Sequence, residues 1–496
     1  MKNFNLVFWL VSLLLIGIWS CEKSTKKQKE YQNLMSGKQV KVAGPSANCG
    51  AFCNPPVVDY HLPADACNLS QQTTLNCFAW TNFLALNWNS SNTRGIPDST
   101  RTASSYGVPG DFSPTVWESY LNIDDVFTDH GPLPWTNNNL KRYGFVKKMT
   151  LLNKVGHIEE RVNKKMLKAA GGSVEELFQA KGAWLTDQKG NLVWYEVKIN
   201  LDEYNFIANN KLYDPTKQVS YATANNGLWL PGGPSEYGNQ GAMELKAAWK
   251  VVNAKDLDSV KPYYKVSKAM VPEVLGFDKN KNPILGKYSM QYLALVGLHI
   301  IRKTQLAHQF VWMTFEHVDN APTEGEKLDP KKTYSFFNKA STDVPNQSPD
   351  VVIGNIKNPV QVTRIAPNAL NQDIKALNTY VQNLIRQSNP NSVWQYYQLV
   401  NVQWPQSAVT DQANNQGKIP LDEGGITPTN IANVTLETYA QEDYCMSCHK
   451  FASVNNSKFA TGYSFVFLNA KTQINKASAK NAMNMKQINT YLKQKN

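Results

Sequence analysis

The chain of 496 residues contains no Lys/Arg block interleaved with aromatics, no glycine-rich phosphate loop and no internal repeat. Without the first there is no surface to track a nucleic-acid backbone, so nucleic acid is not expected as a partner. Without the second, no helix start is marked out to cradle a nucleotide's phosphates, and without the third a solenoid is excluded. Charge is sparse too: 18% of residues are Asp, Glu, Lys or Arg, against 42% hydrophobic and 11% aromatic. That balance can bury a large core and rules out wholesale disorder, coiled coil and collagen. Lys and Arg number 51 and Asp and Glu 39, a net +12 spread thinly along the chain, as in a soluble basic protein.

Nor is there a run of about 20 apolar residues, the length a transmembrane helix needs. The nearest is Phe4 to Trp19, broken by Asn5, Ser12 and Gly17 and preceded by Lys2, which reads as an export signal over residues 1–20. Cys21 follows, with Ser20 before it and Ile18 three positions back. This stretch resembles the lipobox of bacterial lipoproteins, with Trp19 where that pattern has a small residue. The resemblance implies that Cys21 becomes the lipidated first residue of the exported protein and holds it on a membrane. Residues 21–45, with Lys23, Lys26, Lys27 and Lys29, then read as a solvated tether. No acidic cluster follows Cys21, so a periplasm-facing anchor, in the outer membrane first, is expected ahead of the cell surface.

Seven cysteines are few, and they fall into groups. Beyond Cys21, four sit early, at Cys49, Cys53, Cys67 and Cys77, and two sit late, at Cys445 and Cys448. Export favours disulfides, and the early four allow two bridges with the pairing left open. A metal site with His61 as a further ligand is the competing reading, free thiols the third. The tight Cys-x-x-Cys spacing of zinc knuckles is missing from the early group.

The late pair carries the strongest signal, Tyr444-Cys445-Met446-Ser447-Cys448-His449. Two thiols three residues apart lie on one side of a helical turn and can add to the two vinyl groups on one porphyrin edge. The next imidazole then reaches the iron. Cys-x-x-Cys-His is the haem-attachment pattern, and in Cys445, Cys448 and His449 the chain resembles the c-type cytochromes residue for residue. That resemblance implies one covalent haem c, with His449 as proximal iron ligand, and redox activity. A thioredoxin-like dithiol belongs at a strand-to-helix turn that the preceding segment does not offer, and a local disulfide beside an incidental histidine is the bland alternative. Segments Cys77 to Trp88, Gly241 to Lys250 and Val311 to Pro322 are similar to stretches of uncharacterised bacterial lipoproteins that end in a single Cys-x-x-Cys-His. That likeness brings no activity with it.

Between the ends, the expected fold class is α+β: an antiparallel β-rich body, a sandwich or open barrel, with flanking helices and a C-terminal helical haem-binding segment. The expected division is a disulfide-stapled helix and loop region over 46–140, an antiparallel β domain over 141–365 and a helical C-terminal region over 366–496. Cys77 to Leu86 reads as an amphipathic helix with Cys77, Trp80, Phe83 and Leu84 inward. Residues 182–186 and 191–197 read as a hairpin. Met243, Leu245, Ala247, Trp249 and Val251 alternate with Glu244, Lys246 and Lys250, as in a strand with one face toward solvent or a polar cleft. Ser289 to Ile301 and Gln309 to Val318 read as a second hairpin. Phe451, Phe459, Tyr463, Phe465, Phe467 and Leu468 are candidates for a haem wall or for plain core.

The sixth iron ligand decides between electron transfer and chemistry. Met483 and Met485 are downstream candidates. If the second hairpin turns about Leu306, His299, Met313 and His317 share a sheet face and are further candidates, conditional on register. Glu316-His317-x-Asp319 beside Asn320 is a weak acid/base group. The chain therefore reads as a membrane-anchored, exported mono-haem c-type cytochrome that passes one electron to or from a redox partner protein. The alternatives are a peroxidase-like or oxidase-like haem enzyme with the β domain as substrate cleft, and a ligand-binding lipoprotein with an accessory haem. Oligomeric state is left open.

Overall fold

A computed structural model describes residues 49, 54–66, 68–136, 147–148, 185–277, 283–347, 360–407, 419–454 and 457–473. The export signal, Cys21, the tether, Cys53, Cys67, Met483 and Met485 lie outside the described residues.

The fold is α+β, built on a nine-stranded open sheet. In chain order the strands are β1 (Leu121–Asn122), β2 (Lys147–Lys148), β3 (Val193–Ile199), β4 (Met243–Val252), β5 (Val266–Phe277), β6 (Pro283–Arg302), β7 (Val311–His317), β8 (Tyr397–Pro405) and β9 (Ile426–Thr427). They lie in the order β1-β3-β4-β6-β7-β8-β9, with β5 on the first half of β6 and β2 beside β5. Every pair is antiparallel except β2 with β5. The helices used below are α1 (Gln72–Leu86), α2 (Leu201–Asn209), α3 (Pro215–Asn225), α4 (Gln372–Ser388) and α5 (Cys445–His449).

Local chemistry sets the helix starts. Asn200, Asp214 and Asn371 each accept a backbone N–H of the first turn of α2, α3 and α4, and Pro215 opens α3 where no N–H is needed. On α4, Ile374, Leu377, Val381, Leu384 and Ile385 form one buried stripe. α1 differs from the amphipathic expectation, because it is buried all round, Thr74, Asn76, Thr81 and Asn82 included. Partners make that tolerable: Trp80 Nε1 donates to Asn378 Oδ1 at 3.0 Å and Asn82 Oδ1 accepts from the Arg302 guanidinium at 3.0 Å.

One sheet face carries Leu245, Ala247, Trp249, Leu298, Ile300, Met313, Phe315, Leu399 and Val402, packed under α1 and α4. The other face was expected to meet solvent or a polar cleft along β4, and it does so in part: Lys250 lines a cleft and Lys246 is half-buried. Glu244 is buried, because residues 431–454 and 457–468 lie across this face with Val434 and Leu436 on Tyr195 and Ala248, and with Met446, Tyr463 and Phe467 near Ile301 and Trp312. Gly297 lets this cover approach, since a methyl group there would overlap Thr435 Oγ1.

The turn expected at 187–190 exists: Gly190 N–H bonds Asp187 O and Thr186 bridges Leu192, while β3 takes its ladder from β4 and β1. The second hairpin exists as β6 and β7, in register His299↔Thr314 and Ile300↔Met313. Its centre lies half a residue past Leu306, and that offset reverses the expected grouping. His299 shares a face with Trp312, Thr314 and Glu316, while Met313 and His317 point to the opposite side. The C-terminal region is only partly helical, because Tyr397–Pro405 returns to the sheet as β8.

Candidate haem site

Three elements place the motif. Residues 445–449 form the short helix α5. Its Met446 N–H donates to Gln403 Oε1 on β8 at 3.0 Å, with the Met446 side chain fully buried below. Asn433 Nδ2 donates to Thr314 Oγ1 and Phe315 O at 3.0 and 2.9 Å, and Val434 N–H to Glu316 Oε1 at 2.6 Å. Glu316 also binds the Arg364 guanidinium, whose charge opposes the rise that burial imposes on the Glu316 carboxyl. Trp312 then stands under His449, their ring centroids 4.4 Å apart, and Phe465 closes another side at 4.9 Å.

His449 Nδ1 lies 2.7 Å from Tyr463 O. A carbonyl oxygen only accepts, so Nδ1 carries the proton and Nε2 presents its lone pair, with no hydrogen-bond partner among the described residues. Metal-bound histidines are held in this way, the second nitrogen donating to a carbonyl. Burial depresses the imidazole to about 4, with Lys246 and His299 acting in the same direction and the Tyr463 carbonyl and Glu437 opposing, so at neutral pH it is the uncharged, ligating form.

Cys445 and Cys448 are half-buried and not joined in a disulfide. Burial, then Glu437 and Cys448, push the Cys445 thiol well above its ordinary value. A dithiol oxidoreductase needs the reverse, a thiolate stabilised at a helix start. Two thiols one turn apart beside a neutral imidazole with a free Nε2 fit covalent haem. Among the described residues no group of three or more His, Cys, Asp and Glu side chains is arranged to hold a bare metal ion.

The early cysteines resolve in part. Cys49 and Cys77 form a disulfide that ties chain before α1 to its buried face, which removes both from any zinc site. His61 Nδ1 instead pairs with Asp59 Oδ2 at 2.7 Å.

The distal candidates separate. Met313 is fully buried in the α1-side core. His317 uses both nitrogens, Nε2 donating to Tyr263 O and Nδ1 accepting Asp319 N–H, each at 3.1 Å, with its ring stacked on Tyr264. Burial holds it well below its ordinary value, hence neutral. On the far face from His449 and fully satisfied, neither residue can reach the motif. His299 is on the near face, directly opposite Lys246 on β4. It is 8% exposed, and its Nε2 lies 3.3 Å from Glu437 Oε2 without the alignment of a hydrogen bond.

The acid/base reading of Glu316, His317 and Asp319 does not hold. Adjacent residues on a strand face opposite ways, so Glu316 anchors the C-terminal cover while His317 faces the other side, and Asp319, beyond the end of β7, lies near Lys332 and Lys250. Asn320 Nδ2 is spent on Val296 O. Asp319 lines a cleft of about 760 Å³ with Lys250, Tyr263, Tyr264, Tyr334, Ser335 and others. Of the aromatics proposed as a haem wall, Phe465 touches His449, while Tyr463 and Phe467 belong to the core cluster around Met446. Trp312, the closest aromatic to His449, was not anticipated. Period two alone does not reveal it, because only the observed register, His299↔Thr314, puts Trp312 on the His299 side of β7.

Comparison with family models, with curated proteins and with solved structures finds no match to this chain.

Proposed function

We propose that this chain is an exported, lipid-anchored mono-haem c-type cytochrome that transfers single electrons to and from a redox partner protein. The observation that carries the reading is the His449 Nδ1 bond to Tyr463 O, which leaves Nε2 as a preset iron ligand one residue from a thiol pair at haem-attachment spacing. Cys445 and Cys448 would form the two thioethers, Cys21 would carry the lipid, and the haem would supply a one-electron couple whose potential the protein tunes. His299 is our proposed source of the sixth ligand. It lies on the motif's side of the sheet, and its Nε2 has no hydrogen-bond partner among the described residues.

The test is the absorption spectrum of the purified full-length protein, with acid-acetone extraction after denaturation. The account expects colour that stays with the polypeptide and a low-spin ferric spectrum indifferent to cyanide and peroxide. Colour lost to the solvent removes the covalent haem, and a high-spin form that reacts with peroxide moves the protein to the enzyme class. In His299→Ala a low-spin spectrum turns high-spin if His299 is the sixth ligand, and is unchanged if it is not.

A second reading, in which the body binds a ligand and the haem is accessory, has one observation in its favour. The cleft of about 760 Å³ is of ligand size, and Tyr263 on its wall is 46% exposed.

A further inference from the structure

A row of side chains crosses the sheet on the motif's face: Ile199, Glu244, Ile301, Trp312 and Gln403, on β3, β4, β6, β7 and β8. Two members of this row touch the motif, Trp312 through the His449 ring and Gln403 through Met446 N–H. A third, Glu244, is a buried acid. Strand spacing puts it about 10 Å from Trp312.

Glu244 has a companion. Glu203, in the first turn of α2, is completely buried, and neither of its carboxyl oxygens has a hydrogen-bond partner among the described residues. The same holds for Glu244 Oε1, while Ser464 opposes the rise that burial imposes on this carboxyl. The groups facing the pair are few. Lys303, after β6, acts on Glu203 and the two carboxyls act on each other. Asp202, next on α2, is turned away to the Gln240 and Gly241 N–H groups and to Arg302. Two carboxylates side by side in a dry interior cannot both be ionised, so the pair keeps at least one proton. Burial lifts Glu244 to about 7, which places exchange of a proton near neutrality. The pair is linked to the motif through the chain: Ser464 acts on the Glu244 carboxyl, and Ser464 follows Tyr463, whose carbonyl accepts from His449 Nδ1.

We propose that Glu203 and Glu244 form a proton-binding site linked to the oxidation state of a haem on Cys445, Cys448 and His449, so that the protein takes up a proton with the electron. The inference rests on the haem reading above. In the coupled step a one-electron donor would give its electron to the iron, and a carboxylate oxygen of the pair would form an O–H bond with a proton from a solvent hydronium ion, whose own O–H bond breaks to leave water. The added electron and the added proton leave the net charge of the protein unchanged. A unit charge at a distance on the order of 10 Å through an effective dielectric near 20 would change proton affinity roughly tenfold, a scale and not a distance measured to the iron. Reduction therefore raises the affinity, and the potential falls as pH rises through neutrality.

The test is spectroelectrochemical titration of the full-length protein across neutral pH, for wild type, Glu244→Gln and Glu203→Gln. The expected result is a potential that falls with pH in wild type and is flat in Glu244→Gln, with the slope reduced in Glu203→Gln. A flat wild-type profile, or an unchanged slope in both variants, overturns the proposal. Should the variants not fold, redox-difference infrared spectra of wild type decide: a protonated-carboxyl stretch that grows on reduction supports it and its absence refutes it. A red protein with a flat profile sinks the linkage alone, whereas a colourless protein sinks the linkage together with the haem reading.

Discussion

The two faces of the sheet are covered by different means. Under α1 and α4 the cover is hydrophobic area: Trp80, Phe83, Phe315, Trp394 and Tyr397 interlock with ring centroids 4.4 to 6.1 Å apart. On the opposite face the cover is mostly irregular chain, docked by the polar anchors Asn433, Glu316, Arg364 and Gln403 beside a smaller apolar cluster. Area is non-directional and stabilises the fold. Hydrogen bonds fix position, and this is the face on which His449 must be held still. The difference assigns stability to the first face and site geometry to the second.

Removing the central side chain of the first face should have the largest effect on folding. Trp80→Ala deletes a fully buried indole and takes away one of the two donors to Asn378 Oδ1, leaving Leu399 N–H, a loss of about 3–5 kcal/mol in urea unfolding. Unfolding at wild-type midpoint would show that the α1-side core does not carry the fold. Next comes Glu316→Gln, which leaves the Arg364 charge buried without its counter-charge. Roughly 3 kcal/mol is expected, at the low end for a broken buried pair because the amide still accepts a hydrogen bond. The comparison is sharpened if this variant also changes the environment of Trp312 by fluorescence, and is weakened if only global stability moves.

Asn433→Ala removes two anchoring bonds and should cost about 1–2 kcal/mol. The revealing readout is local: amide exchange should speed up around 445–449 well before global unfolding, whereas uniform acceleration would mean that the cover and the core open together. The smallest effect is one of pH. Because burial lifts Glu244 to about 7, the folded protein holds a proton that the unfolded chain releases near its ordinary value, so stability declines as pH rises from that value through about 7. Glu244→Gln should make this decline shallower in urea midpoints, the remainder coming from Glu203 and from Asp202, which burial lifts as well, and an unchanged slope would mean that Glu244 titrates normally.

Legibility followed the same division. The motif was readable because its residues are adjacent in sequence, whatever surrounds them. The β6 and β7 strands were readable from their apolar runs, but the face of His299 was not. Parity turns on half a residue in the connection, which composition does not set. Along β4, Glu244 and Lys250 read as outward because charge normally marks solvent. They are inside because the 431–468 cover lies over Glu244 and Ser335 meets Lys250 at 2.7 Å, contacts made by chain far away in sequence. The cover itself, from 431 to 468, carries almost no periodic pattern, so nothing local announced that it lies on the sheet. It also means that cutting the chain before residue 430 would bare Ile301, Trp312 and Val296, so a body isolated in that way should lose solubility rather than stand as a separate module.

Peptide mass spectrometry across residues 445–449 of the mature protein tests the central claim most directly. The account predicts one tetrapyrrole joined through both sulfurs, with neither Cys445 nor Cys448 open to alkylation. A peptide of unmodified mass that takes up two alkyl groups would contradict it.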